Sequence, residues 1–175
     1  ANGGNFTADA GFDVFTLHDN GTVEATQTDV APSGGLYSIL SCSLSISSDG
    51  STYILTVLED SVAGGDNITV LSASSSDLSA WGTVYEDNTQ QSSSVKVSHA
   101  HSASGTSDIW IALDDGSDVD LYHSDNGTSG GLVLVHTISS TSLGGIAHNG
   151  GSSGSAKIGI AVDDGTDAQV DIYYE

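Results

Sequence analysis

The sequence has no arginine and two lysines, Lys96 and Lys157, against 23 acidic residues, giving a formal net charge of −21. A chain this poor in cations cannot neutralise phosphates, which excludes nucleic-acid binding, and it cannot dock on an anionic membrane surface. Cys42 is the only cysteine, so no internal disulfide forms; it reads as a small buried hydrophobe, with a reactive thiol as the alternative. There is one proline, no methionine, and an aromatic content of only 6%, which leaves aliphatic side chains to build the core. No apolar run reads as a membrane-spanning segment or a signal peptide.

What the chain does have is glycine, serine, threonine, and short alternating runs of valine, isoleucine and leucine. That is the composition of β-strands joined by tight turns, with no helical period. Two runs repeat: Ile109–Asp118 reads IWIALDDGSD and Ile158–Asp167 reads IGIAVDDGTD. Each joins a strand to an acidic turn and a further strand. A third copy starts at Tyr53–Asp60, and a fourth trace opens the chain at Phe12–Thr22, whose DNGT tail recurs at Asp125–Thr128. The repeats predict strands at Leu36–Ile46, Thr52–Leu58, Ile68–Ser72 and Gly82–Glu86, then at Val95–His101, Asp108–Leu113, Asp118–His123 and Leu132–Ile138. Four antiparallel strands recurring every fifty-odd residues is a propeller-blade pattern. The expected fold is therefore an all-β, propeller-like array. It has a partial blade at 1–35, blades at 36–91 and 92–143, and a partial blade at 144–175. A longer chain, association of copies, or an unpaired terminal strand donated to a neighbour would complete the ring.

Three segments carry a family resemblance. Ser74-Ser-Ser-Asp77-Leu-Ser-Ala-Trp81 resembles a strand–turn segment of glycosidase-type propellers. Ser124-Asp-Asn-Gly-Thr128 resembles a degenerate Asp-box of sialidase-type BNR-repeat propellers, with Gly-Gly-Leu132 where the motif has tryptophan. Ser48-Asp-Gly-Ser-Thr52-Tyr53 is a weaker version. The resemblance implies a turn capped by Asp and Ser, a glycine at positive φ, and an aromatic packed between blades. It also implies that a sialidase would hold its substrate's carboxylate with arginines, which this chain lacks. An arabinanase-type propeller would instead use a central set of carboxylates. Asp13 and Asp120, inside strands, are the residues placed to face a channel.

The acidic turns form three groups: Glu59, Asp60 and Asp66; Asp114, Asp115 and Asp118; Asp163, Asp164 and Asp167. Closely spaced oxygen ligands on a loop suit Ca²⁺, whereas Asp-Gly hairpins select the same residues for local hydrogen bonds alone. His99 and His101 share one strand face and His148 repeats His99, a half zinc site or a structural position. Trp110 reads as inter-blade packing or as a sugar-stacking ring. Asn5, Asn20, Asn67 and Asn126 head N-glycosylation sequons. Together these features predict a non-catalytic, extracellular or virion-surface propeller module that binds a partner, a glycan above all, or builds an assembly. The alternatives are part of a glycosidase-type enzyme and a structural subunit polymerised by strand complementation.

Overall fold

The computed structural model describes residues 11–31, 38–47, 49–60, 66–87, 96–101, 109–124, 132–139, 142–148, 157–163, 166 and 168–174. They form thirteen β-strands and no helix in four antiparallel sheets. The first sheet is a hairpin of β1 (Phe12–Leu17) and β2 (Val23–Val30). The second is a meander of β3 (Ser38–Ile46), β4 (Thr52–Asp60), β5 (Asp66–Ser74) and β6 (Asp77–Asp87). The third is a meander of β7 (Lys96–His101), β8 (Ile109–Asp114), β9 (Asp118–Ser124) and β10 (Val133–Ser139). The last holds β11 (Ser142–His148), β12 (Lys157–Asp163) and β13 (Ala168–Tyr174). The two predicted four-strand units are both present. The largest difference is β6, which begins at Asp77 rather than Gly82 because pairing with β5 continues through a bulge as far as Ser74 opposite Asp77. With no helix, no segment is a candidate membrane-spanning helix among the described residues.

The sheets pack face to face, so the inner strands of a middle sheet, such as β4 and β8, are buried on both surfaces. Side chains alternate across a strand, and the core follows that alternation. In β8, Ile109, Ile111 and Leu113 join Ile54, Leu58, Ile68 and Val70 of the second sheet in one cluster. Trp110 and Ala112 point the other way, into a cluster with Leu143, Ile158, Ile160 and Val162 of the last sheet. All six residues of β8 are buried as a result. A continuous apolar run is what a strand covered on both faces requires. A third cluster joins Val14 and Val30 of the hairpin to Leu55, Val57 and Leu71, with Trp81 packed against it. Trp110, 5% exposed, thus lies in the packing between sheets, and its ring stacks on His123 with centroids 3.9 Å apart.

Cys42 departs from its expected place in the core. It is exposed, because among the described residues no sheet lies over the even-numbered side of β3 (Leu40, Cys42, Leu44 and Ile46). Neighbouring atoms still desolvate the sulfur enough to push the thiol above its ordinary pKa, which works against nucleophilic reactivity.

The turn at Ser47–Thr52 shows how the acidic residues serve the fold. Asp49 Oδ1 accepts the Ser47 hydroxyl at 2.6 Å, the Ser51 N–H at 3.0 Å and the Ser51 hydroxyl at 2.8 Å. Gly50 sits at φ 72° and donates its N–H to Ser47 O at 2.8 Å. Three donors on one oxygen hold the Asp49 carboxyl below its ordinary pKa, the Ser47 hydroxyl contributing most. A carboxyl whose pKa is lower folded than unfolded stabilises the fold above the unfolded value, about 4, and loses that contribution as pH falls through the folded one. Replacing Asp49 by Asn is therefore expected to flatten the dependence of stability on pH below about pH 4 and leave it unchanged near neutrality; denaturant melts across that range check it. In the core, Ile111→Ala is expected to cost about 2–5 kcal/mol, whereas Leu134→Ala, at an exposed position, stays within about 0.5 kcal/mol.

Candidate functional site

The chemistry-bearing side chains concentrate where one sheet meets the next. β7 is an edge strand, and an edge strand presents backbone donors that need partners. Two of them are met by serines of the preceding sheet. Val97 N–H donates to Ser41 Oγ at 3.2 Å and His99 N–H to Ser43 Oγ at 3.3 Å. Ser45 Oγ lies 2.6 Å from His99 Nε2. Alternation puts Ser41, Ser43 and Ser45 on one side of β3, so the SxSxS spacing is the local cause. His99 is 4% exposed and serves this junction.

The next junction uses charged groups. Asp114, 2% exposed, accepts the Gly116 N–H on Oδ1 at 2.7 Å and the Leu143 N–H on Oδ2 at 2.7 Å. One oxygen closes its own turn; the other holds the first strand of the following sheet. Lys96 pairs with Asp114 across the β7–β8 ladder, and its Nζ donates to Leu143 O at 2.5 Å. One of the chain's two cations and a buried carboxylate thus take both backbone groups of Leu143. β11 bulges directly after Leu143, and the bulge residue must be small: a Cβ on Gly144 would lie 3.0 Å from Ala161 O and 3.2 Å from Ala161 Cβ.

The acidic groups do not form one repeated constellation. The ladders place Asp60 opposite Ser38, Asp114 opposite Lys96 and Asp163 opposite Ser142, so Asp60, not Glu59, is the counterpart of Asp114. Glu59 lies on the opposite side of its strand. It is 3% exposed and accepts the Thr69 hydroxyl on Oε1 at 2.8 Å. Asp115 Oδ1 accepts the Ser117 N–H at 2.8 Å and the Asp118 N–H at 2.7 Å, closing the turn around Gly116 at φ 85°. Asp118 is half-buried at that turn and Asp163 is exposed. Asp164, Asp167 and the side chains of Asp60 and Asp66 lie outside the described set. Among the described residues no three His, Cys, Asp or Glu side chains converge as a metal site.

Asp120, one of the two carboxylates expected to face a channel, accepts the Thr137 hydroxyl of β10 at 2.5 Å; Asp13, the other, is exposed on β1. The two are on different sheets. Asn20 is exposed in the first hairpin turn, its Oδ1 taking the Thr22 N–H at 2.9 Å. Asn67 is 7% exposed, and Asn5 and Asn126 lie outside the described residues. No sequence pattern had drawn attention to a shallow cleft of about 340 Å³ between the first and second sheets, lined by Thr16, Glu24, Ala25, Tyr53, Ser75, Ser76 and Leu78. Its residues come from separate turns and strand ends that only the packing of the hairpin brings together. Comparison with family models, with curated proteins and with solved structures finds no match.

Asn at position 114 has one acceptor oxygen for two backbone donors. Asp114→Asn is therefore expected to cost about 1–3 kcal/mol by leaving a buried N–H unsatisfied, and Lys96→Met about 1 kcal/mol; paired denaturant melts measure both. If the turn carboxylates act only as caps, Ca²⁺ and Mg²⁺ will raise the melting midpoint alike, by screening the net charge. A rise with Ca²⁺ alone would instead establish a calcium site.

Proposed function

We propose that the chain is a non-catalytic, propeller-like repeat module of an extracellular or virion-surface assembly, and that it binds glycans. The observation that carries the non-catalytic half is the employment of the carboxylates. Glu59, Asp114 and Asp120 hold a hydroxyl, two backbone N–H groups and another hydroxyl respectively. A glycosidase needs two carboxyl groups facing one another across a substrate, and these three sit at separate structural junctions. The propeller-like half is supported by the four-strand meanders, by sheets stacked on both faces, and by first strands β3, β7 and β11 lying side by side.

The glycan half rests on the cleft between the first two sheets. It offers an aromatic face in Tyr53, an anionic acceptor in Glu24, and the hydroxyls of Thr16, Ser75 and Ser76. A sugar presents one apolar ring face and a rim of hydroxyls, so a ring to stack on and a few convergent polar groups are what its recognition requires. The net charge favours neutral or cationic sugars over sialylated or sulfated ones. Glycan-array screening followed by titration of any hit against Tyr53→Ala and Glu24→Gln variants tests the reading. Loss of at least tenfold in affinity in both variants is expected. Silence of the folded protein on the array, or affinity unchanged in both variants, would leave assembly as the better reading.

A further inference from the structure

Among the described residues two surfaces are open, and an internal junction of the molecule joins two surfaces of the same kinds. The first is the side of β3 that turns away from β7, with Leu40, Leu44 and Ile46 at 44%, 47% and 46% exposure and Cys42 between them. The second is the side of the last sheet that turns away from β8. Its β12 residues are Gly159 and Ala161, and Ala147 and Gly145 stand opposite them in β11. Ala147 and Ala161 are exposed, and Gly145 and Gly159 are half-exposed.

Between the third and last sheets the same two kinds of surface meet. Gly159 and Ala161 repeat Trp110 and Ala112, which pack on the following sheet. Asp163 holds the register position from which Asp114 takes the Leu143 N–H, and Ile39 precedes its bulge in β3 as Leu143 does in β11. First strand β11 packs on β7 and β8, and β7 packs on β3 and β4. By the same rule β3 would lie over the first two strands of a preceding sheet. The hairpin β1–β2 instead covers Leu55, Val57 and Leu71, farther along the second sheet.

We propose that the last sheet of a second copy of this chain occupies the open side of β3. The small residues on β11 and β12 admit the larger Leu40, Leu44 and Ile46. The two surfaces differ, so the contact is heterologous and propagates head to tail into a ring or a fibre. Each copy is strongly anionic, so association strengthens with ionic strength. This inference goes beyond the glycan reading: it draws on the sheet packing and makes no use of the cleft, so failure of either leaves the other standing.

The test is molar mass by light scattering and analytical ultracentrifugation, from low to high micromolar concentration and across a salt series. The wild-type chain is expected to form species larger than a monomer. Leu44→Lys and Ala161→Arg are each expected to be monomeric while keeping the wild-type circular dichroism, since both positions are exposed. An equimolar mixture of the two variants is expected to stop at a dimer, one intact surface from each partner meeting the other. Alkylating Cys42 of the unmutated protein with a bulky maleimide is expected to dissociate it, an outcome independent of either substitution. A wild-type chain monomeric at every concentration and salt overturns the proposal. Assembly that survives both substitutions and alkylation overturns it as well.

Discussion

The structure depends on how the first strands of the third and last sheets are each held by the sheet before. A strand at the edge of a meander leaves a row of backbone groups without ladder partners, and burying such groups unpaired costs more than hydrophobic packing readily returns. Here the side chains of the preceding sheet supply the partners. Ser41 and Ser43 of β3 take two β7 amides while Ser45 meets the His99 ring, and Asp114 with Lys96 serves β11. Once these edges are satisfied, the sheets can lie face to face and bury both surfaces, which gives three apolar clusters at three junctions. The stack is thus nearly one-dimensional, each sheet contacting its neighbours, as in other repeat architectures.

This arrangement explains how a chain with two cations and 23 acids folds at all. Among the described residues two carboxylates are buried, and each has a donor. Asp114 has two backbone N–H groups and Glu59 a hydroxyl. Asp49, Asp77 and Asp115 sit at exposed turns, where they accept local N–H and hydroxyl groups and the charge stays in water. Lys96 reaches out of its own sheet to the backbone of the next, to Leu143 O and more distantly to Gly144 O. The turn aspartates therefore carry local structure, while Asp114, the buried one among the described residues, carries architecture as well.

Much of the fold was legible in the sequence because it rests on period and punctuation. Alternating aliphatics gave the strands, and the Asp-Gly turns marked the second-to-third-strand hairpin of the third sheet, between β8 and β9. The run IWIALD was legible as a strand; that it is covered on both sides is what the structure adds. What was not legible depended on which face a residue takes. Glu59 resembles Asp114 when the acidic turns are compared by eye, but the strand registers make Asp60 its counterpart and turn Glu59 to the other side. Cys42 looked like a core residue, yet among the described residues no sheet covers that side of β3. The SxSxS spacing was visible, although only the packed sheets show that its hydroxyls meet another strand's amides. The Lys96–Leu143 contact and the cleft around Tyr53 join residues far apart in sequence, and no local pattern encodes them.

The claim that side chains of one sheet fasten the backbone edge of the next is most directly tested by native-state amide hydrogen exchange, read residue by residue. In the wild-type protein the Leu143, Val97 and His99 amides should exchange as slowly as amides paired inside the ladders. In an Asp114→Ala variant under native conditions, Leu143 should lose protection while Val97 and His99, served by the serines of β3, keep theirs. An unchanged Leu143 amide in that variant, or a loss shared equally by all three, would contradict the account.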